Sequence, residues 1–179
     1  MNILVVSDSH LFGNDLQRIT KLYKNKVDLM IHCGDSSLTL DDPLIHQYDI
    51  VVKGNHDDAA FPKYRIHQDI CVTHGHHYNV YYGYDDLVKL CQSHHCHLCL
   101  HGHTHVPPTH QIHQGIHFIN PGSLMMNRGS YGYGTYALVN YENNHTQVTY
   151  YHHQTDQPVD ECILKEGLKL LDEFKKLLK

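Results

Sequence analysis

Near its start the chain reads Asn2-Ile3-Leu4-Val5-Val6-Ser7, and Asp8-Ser9-His10 follows at once. The short run of apolar and β-branched residues predicts a buried strand. A carboxylate and an imidazole directly after such a strand stand at its carboxyl end, which is where open α/β sheets bind their ligands. This opening therefore predicts an α/β domain with reactive side chains along one edge of a sheet.

Strands and helices alternate after this opening, which predicts a parallel sheet with crossover helices. We expect a helix from Asn14 or Asp15 to about Lys26, a strand at 28–32, a weak helix within 36–48 and a strand at 49–53. Farther along, the predicted strands are 65–68, 69–73, 97–100, 110–114, 115–120, 135–141 and 146–152, with a hairpin turn at Asn143-Asn144 and helices at 83–94 and 161–179.

The length and composition favour one globular domain. The 179 residues contain no repeat or linker, so we expect residues 1–179 to form a single domain of two packed sheets flanked by helices. The formal net charge of −5 leaves no broad basic surface for a long nucleic acid. Because no stretch resembles a membrane span or a signal peptide, we expect a cytoplasmic protein with reduced thiols and no membrane partner.

Histidine is unusually abundant, with 20 among the 179 residues. Many of them, including His32, are interpreted as surface or strand-face residues. Others share a position directly after a predicted strand, together with two carboxylates and an amide. These strand-end residues are Asp8, His10, Asp35, Asn55, His56, His74, His103 and His105.

The strand-end residues are of the types that bind divalent cations. Two ionised carboxylates close together repel each other, and a cation removes that cost. Nitrogen and oxygen donors without cysteine favour a hard or borderline metal such as Mn²⁺, Fe²⁺ or Zn²⁺. The candidate ligands are too many for one ion that keeps an open position, so they predict two ions roughly 3.5–4 Å apart, with Asp35 as the bridging carboxylate.

The cysteines Cys91, Cys96 and Cys99 lie close together among histidines and offer an alternative zinc site. Cys96 and Cys99 fall in an apolar run that predicts a strand, where a spacing of three puts two side chains on opposite faces. We therefore expect these cysteines to pack in the strand region rather than to bind zinc.

Five short blocks, taken in order, resemble the signature of the calcineurin-like metallophosphoesterases. The blocks are Asp8-x-His10, Gly34-Asp35, Gly54-Asn55-His56-Asp57, His74-Gly75 and Gly102-His103-Thr104-His105. The small size, and Asn120-Pro121-Gly122-Ser123 after the last block, resemble the compact bacterial and archaeal phosphodiesterase branch. The resemblance runs from about Ile3 to Ser123 and, by strand pattern, to Tyr151. It implies an α/β fold that is a four-layer αββα sandwich.

The resemblance also implies a role for each block. The first metal would be held by Asp8, His10, Asp35 and His105, and the second by Asp35, Asn55, His74 and His103. His56 matches the family histidine that contacts the substrate phosphate and can protonate the leaving oxygen, and Asp57 commonly supports that histidine. Mn²⁺ is the cation we expect, with Fe, Zn, Ni or Mg as alternatives.

The activity expected from such a centre is hydrolysis of a small phosphate ester by a metal-activated hydroxide, and the branch resemblance favours a diester. Asn55 and His56 would stabilise charge on the phosphate oxygens. Two alternatives are a non-catalytic protein-binding scaffold, such as the eukaryotic retromer subunit that resembles this fold, and a histidine-rich chelating protein. Small members of the branch often self-associate, so we expect a homodimer.

Three features of the sequence allow more than one interpretation. The tyrosines Tyr78, Tyr81, Tyr82 and Tyr84 either line a pocket or pack as a loop. Arg128 has no assigned substrate role, because Asn127-Arg128 replaces a more usual Pro-Arg-like stretch. The last helix either packs inward or serves an oligomer contact, and its predicted inward-facing residues are Ile163, Leu164, Leu168, Leu170 and Leu171.

Overall fold

The fold is seen in a computed structural model that describes residues 1–10, 13–58, 60–125, 127–128, 133–159 and 161–177. Its helices are α1 (Gly13–Tyr23), α2 (Asp85–Ser93) and α3 (Glu161–Leu177). Its strands are β1 (Asn2–Val6), β2 (Leu29–His32), β3 (Ile50–Val51), β4 (Tyr64–His67), β5 (Ile70–Thr73), β6 (Leu98–Leu100), β7 (Thr109–His113), β8 (Ile116–Asn120), β9 (Thr135–Glu142) and β10 (His145–His152).

The strands form two mixed sheets of five strands each. The first has the order β10-β9-β1-β2-β3, and the second has the order β4-β5-β6-β8-β7. Within the first sheet β1, β2 and β3 run parallel, and within the second β5, β6 and β8 do so. The carboxyl ends of these parallel strands carry the loops with the candidate ligands.

The side chains of β1 point alternately to the two faces of the first sheet, and this alternation shows how the layers are built. Ile3 and Val5 face the core between the two sheets, whereas Leu4 and Val6 face the layer that contains α1. Each of these side chains is fully buried, which stabilises the fold by about 1.5–3 kcal/mol per side chain. Helix α2 covers the outer face of the second sheet. The layers therefore follow the order α, β, β, α, as predicted.

The segment 36–53 differs from the prediction of a helix and a five-residue strand. It contains only a 3-10 turn at Ile45–Gln47 and the two-residue strand β3. The backbone N–H groups of Ser36 and Ser37 donate to the Asp57 carboxylate, and that of Leu44 donates to Asp42 Oδ1. Side chains that bind the backbone in this way compete with helical hydrogen bonds.

The hairpin between β9 and β10 is confirmed. Asn143 and Asn144 have φ angles of 50° and 63°, which is the left-handed backbone that a two-residue type I′ turn needs. In α3, Ile163 and Leu171 are buried as predicted, but Leu168 is 38% exposed, so its predicted inward orientation is wrong. Within the described ranges no helix combines the length and the apolar composition needed to cross a bilayer.

Candidate metal centre

The loops after the parallel strands hold their side chains in an uncommon backbone conformation. Asp8, His10, Asp35, His103 and His105 all have positive φ angles, between 46° and 73°. This left-handed region is uncommon for residues other than glycine, although Asp, Asn and His enter it more readily than most. Such conformations cluster at functional sites because the surrounding structure must enforce them.

Two glycines allow these loops to approach one another closely. A Cβ atom on Gly54 would lie 2.0 Å from Asp35 Oδ1, and one on Gly102 would lie 1.8 Å from Ser7 Oγ. Both distances are far below a van der Waals contact, so any other residue would push these loops apart. The glycines of the sequence blocks therefore have a steric role in forming the site.

Four of the predicted ligands form one compact cluster. The ligand atoms of Asp8, His10, Asp35 and His105 all lie within 4.8 Å of one another. Asp8 Oδ2 accepts hydrogen bonds from Ser7 Oγ at 2.6 Å and from the His103 backbone N–H at 3.1 Å. Its other oxygen, Oδ1, is buried and accepts no hydrogen bond from the described residues, although His105 Nε2 is 3.0 Å away. A buried carboxylate oxygen that accepts no hydrogen bond but has an imidazole nitrogen 3.0 Å away fits a shared bound cation.

His74 links this cluster to the second predicted set of ligands. Its Nδ1–H donates to the Cys33 carbonyl at 2.8 Å, which fixes the ring and leaves Nε2 as the free ligand atom. Nε2 faces Asp35 Oδ2 at 3.3 Å, Asp8 Oδ1 at 3.8 Å and Asn55 Oδ1 at 3.2 Å. The His103 ring lies against that of His74, with 5.1 Å between the centroids. Of the seven predicted ligands, four thus form the compact cluster, His74 and Asn55 adjoin it at His74 Nε2, and the His103 ring lies beside it against His74.

The electrostatics of the centre favour added positive charge. Burial would raise the pKa of the Asp8 carboxyl, but His74, His105 and the Ser7 hydroxyl together hold that pKa below its usual value. The pKa of Asp35 is also lowered, because contacts with His74 outweigh burial. Burial opposes protonation of His74, yet the two carboxylates raise its pKa. The carboxylates therefore stay ionised, and a divalent ion bound between them would supply the positive charge that His74 otherwise contributes.

Comparison with known proteins identifies the family. The model of the calcineurin-like phosphoesterase superfamily domain matches residues 1–144, which is more than half of the chain. The chain belongs to this superfamily. The match includes every residue of the predicted centre.

Similarity to individual proteins supports the same family assignment. The chain is 37% identical over 163 residues to the probable metallophosphoesterase YsnB of Bacillus subtilis, covering 84% of this chain and 90% of YsnB. A crystal structure of a predicted phosphoesterase from Streptococcus pneumoniae has a TM-score of 0.78 and 34% identity, covering 85% of this chain and 89% of that one. Vps29 from Entamoeba histolytica, at 18% identity, shares the fold with a TM-score of 0.67 and coverage of 89% and 99%.

In this phosphoesterase chain, Asp57 orients the backbone around Asp35. Its buried carboxylate accepts hydrogen bonds from the backbone N–H groups of Asp35, Ser36, Ser37 and Gly54 at 2.8–2.9 Å. Within the described residues, no hydrogen bond joins this carboxylate to the His56 ring. In the structure Asp57 therefore positions the Asp35 backbone, and the supporting role toward His56 that the family resemblance implies stays a prediction.

His56 is exposed at the edge of the centre. Its backbone N–H donates to Asp35 Oδ1 at 2.7 Å, and its ring lies edge-on to the His10 ring with 5.5 Å between the centroids. The imidazole is therefore beside the cluster and accessible to a ligand. This is the location that a proton donor to a bound ester would need.

His32, interpreted from sequence as a surface or strand-face residue, lies on strand β2 and is fully buried, so only the surface alternative is wrong. Its Nδ1 accepts the Gly34 backbone N–H at 3.1 Å, so its proton is on Nε2, which donates to Ser9 Oγ at 2.8 Å. Its one sequence signal is its place two residues before the Gly34-Asp35 block. His76 was also missed, and its ring lies 5.3 Å from the His74 ring.

A second group of metal-ligating residues consists of the thiols of Cys71, Cys91 and Cys99, which all lie within 4.8 Å of one another. Cys71 and Cys99 are register partners on β5 and β6, and Cys91 faces them from α2. All three are fully buried in an apolar cluster. Cys96 is not part of the trio, and it precedes β6 rather than lying in it, so the strand argument for opposite faces was wrong.

Proposed function

We propose that this chain is a phosphodiesterase that hydrolyses a small phosphate diester at a centre of two divalent cations. The observation that supports the proposal most is the buried Asp8 Oδ1, which accepts no hydrogen bond from the described residues and lies within the Asp8, His10, Asp35 and His105 cluster. Leaving such an oxygen without a partner costs about 1–3 kcal/mol or more for a charged group. A bound cation offsets that cost.

The ligand atoms divide into two sets that share Asp35. The proposed first set is Asp8, His10, Asp35 and His105, and the second is Asp35, Asn55, His74 and His103. Their oxygen and imidazole donors suit Mn²⁺, with Fe, Zn, Ni or Mg as alternatives. When bound, such cations act as Lewis acids on the phosphoryl oxygens.

The chain's own residues orient the ester and supply a proton. The His56 imidazole, exposed beside His10, would donate to the oxygen that leaves phosphorus. The Asn55 side chain is next to His74 Nε2 and would bind a phosphate oxygen as well as a cation. Asp57 fixes the Asp35 loop through backbone N–H groups, so the shared carboxylate stays in place during turnover.

The proposal is tested by metal analysis combined with hydrolysis of a diester and a monoester, bis(4-nitrophenyl) phosphate and 4-nitrophenyl phosphate. We expect two tightly bound Mn²⁺ per chain and a diester turnover that a chelator abolishes. Two ions without turnover of either ester would indicate a protein-binding scaffold instead. Many loosely bound ions without turnover would indicate a histidine-rich chelator, and faster hydrolysis of the monoester would overturn the diester preference.

Two substitutions separate the ligands from the proton donor. Asp35→Ala is expected to remove both cations and to lower turnover by far more than the roughly 10–100-fold typical of a residue that only supports a ligand. His56→Ala is expected to retain the cations and to lower kcat by about 10²–10⁴-fold on a diester with an alkoxide leaving group, and by less on the 4-nitrophenyl ester, whose leaving phenolate needs no proton. The exposed residues Asp41 and His46 provide matched controls, since Asp41→Ala and His46→Ala should leave both readouts unchanged. Full metal content in Asp35→Ala would contradict the shared carboxylate.

A further inference from the structure

Three side chains from separate parts of the chain form a wall beside the metal centre. The Tyr81 ring lies edge-on to the His103 ring, with 5.1 Å between the centroids, and edge-on to the Phe174 ring at 5.6 Å. The Arg128 guanidinium carbon lies 5.8 Å from the centroid of the Phe174 ring. Tyr81, Phe174 and Arg128, called here the aromatic wall, thus adjoin the block that carries His103 and His105.

Hydrogen bonds hold two members of the aromatic wall to that block. The Tyr81 hydroxyl donates to the backbone carbonyls of His103 and Thr104, at 3.3 and 3.2 Å. The Arg128 backbone N–H donates to the His105 carbonyl at 2.5 Å. The wall is therefore fixed relative to the candidate ligands instead of lying on an independent loop.

Helix α3 brings Phe174 to the wall. A Cβ atom on Gly167 would lie 2.5 Å from the Pro107 carbonyl oxygen, so the glycine lets α3 dock tightly on the chain just after His105. Phe174 is two helical turns beyond Gly167 and lies on the same face. The family match ends at residue 144, so this aromatic ring is added to the centre from outside the matched region.

The composition of the wall favours a flat aromatic group. Tyr81 and Phe174 are half-buried, so parts of both rings stay accessible, and Arg128 is exposed. Aromatic rings attract other rings in edge-to-face or offset arrangements, and a guanidinium stacks on ring faces. A ligand with a planar aromatic group can contact all three side chains while its phosphate occupies the neighbouring centre.

The location of the wall also indicates which part of the ester it faces. The wall contacts His103, whereas His56, the proposed donor to the leaving oxygen, contacts His10. We propose that Tyr81, Phe174 and Arg128 form a subsite for a planar aromatic substituent that stays on phosphorus during hydrolysis. This inference rests on the proposed phosphodiesterase function and adds a substrate class to it: aryl or nucleoside phosphodiesters.

Two esters with the same leaving group test the subsite, phenyl 4-nitrophenyl phosphate and methyl 4-nitrophenyl phosphate. The Mn²⁺-loaded wild type should have a KM for the phenyl ester that is roughly three- to tenfold lower, as expected for an added aromatic contact. Phe174→Ala should remove most of that preference by raising the KM for the phenyl ester, with kcat little changed. Leu168→Ala, on an exposed position of the same helix, is the matched control and should keep the preference.

Phe174→Leu distinguishes loss of the aromatic ring from a folding defect, because it keeps an apolar side chain on α3 while removing the ring. It should retain the wild-type melting temperature and lose the phenyl preference. Calorimetric binding of phenylphosphonate and methylphosphonate, which are not hydrolysed, gives a readout that does not depend on turnover. The same three- to tenfold preference, lost in both Phe174 variants, is expected there.

The outcomes separate this inference from the function on which it rests. Equal KM values for the two esters in the wild type, or an equal loss of kcat on both esters in Phe174→Leu, would mean that the wall only positions His103. The subsite would then be overturned, while hydrolysis of the methyl ester would still support the phosphodiesterase. If the wild type hydrolyses neither ester, the proposed function fails, and the phosphonate preference alone decides whether the subsite exists.

Discussion

The Asp/His centre and the thiol trio both gather metal-ligating side chains, yet they are built in opposite ways. The centre stands on loops at the strand ends, and five of its residues have left-handed backbone. The trio of Cys71, Cys91 and Cys99 lies on regular β5, α2 and β6 inside an apolar cluster. Proximity of ligand atoms is common to both, so proximity alone does not define a metal site.

Charge and strain distinguish the two regions. The centre contains two buried carboxylates, and Asp8 Oδ1 accepts no hydrogen bond from the described residues. In the trio, hydrogen bonds among the thiols lower the pKa of Cys91 to about 4 and, with burial, raise the pKa values of Cys71 and Cys99, so the three sulfurs share one negative charge. A divalent cation bound by all three sulfurs would require further thiolate charge in an apolar layer, which is costly. The centre keeps a buried carboxylate oxygen that accepts no hydrogen bond from the described residues, whereas the thiols of the trio hydrogen-bond one another.

The largest change in the free energy of unfolding should come from substitution of Asp57, whose carboxylate binds the backbone of the centre. Asp57→Ala leaves four backbone N–H groups without their acceptor, and the bonds from Asp35, Ser36 and Gly54 among them are buried. We expect the free energy of unfolding to fall by about 3 kcal/mol or more, because each buried donor left unpaired costs about 1–3 kcal/mol. Urea unfolding followed by circular dichroism measures the change.

Asp58→Ala is the matched control for this loss, since Asp58 is the exposed neighbour of the buried Asp57. It should change the free energy of unfolding by less than about 0.5 kcal/mol. If Asp57→Ala unfolds as the wild type does, the backbone of the centre does not depend on this carboxylate. The centre would then resemble the thiol trio, because neither region would depend on a distant side chain for its backbone conformation.

The ionisation of His32 should have a smaller effect on the free energy of unfolding, and this effect should depend on pH. Burial lowers the pKa of His32 below the value of about 6.5 in the unfolded chain, despite the nearby Asp57 and Asp8 charges. Below pH 6.5 the unfolded state therefore binds a proton that the folded state does not bind. The free energy of unfolding should decrease as pH falls, by at most about 1.4 kcal/mol per pH unit for this one group.

Comparison of the wild type with His32→Gln isolates this contribution, because other buried histidines titrate in both proteins. Urea unfolding at pH 7 and pH 5.5 should show a smaller loss of stability in His32→Gln than in the wild type. An equal loss would mean that His32 can accept a proton in the folded state. Its role in fixing the Gly34 N–H next to the centre would then be wrong.

The fold could be predicted from the sequence because its signal is local. The apolar run of β1, the Asn143-Asn144 turn and the strand-end positions of Asp8 and His74 each follow from short patterns. The structure clusters four of the seven predicted ligands, Asp8, His10, Asp35 and His105, and places His74 next to both carboxylates. Convergence of this kind follows from parallel strand order, which the alternation of elements indicated.

The differences at segment 36–53 and at His32 share a physical cause, which is contact between residues distant in sequence. The backbone N–H groups of Ser36 and Ser37 donate hydrogen bonds to the Asp57 carboxylate, about 20 residues later, so the predicted helix does not form. The burial of His32 depends on Ser9 and on the β1 loop. The aromatic wall joins Tyr81 to Phe174 across most of the second half of the chain. No local pattern contains such information.

The smallest effect should come from the thiol trio. Cys99→Ala removes one sulfur atom from a packed layer, and we expect the free energy of unfolding to fall by about 1 kcal/mol, as for other small deletions in a core. Metal content and turnover should stay at wild-type values, because no described contact joins Cys99 to the centre. Cys99→Ser has nearly the same shape but puts a hydroxyl into the apolar layer, so it should destabilise by more, about 1–3 kcal/mol.

If Cys99→Ala instead releases a zinc ion that the wild type retains, the trio is a second metal site. The distinction drawn from buried charge would then fail, and thiols in regular structure would have to be counted as ligands.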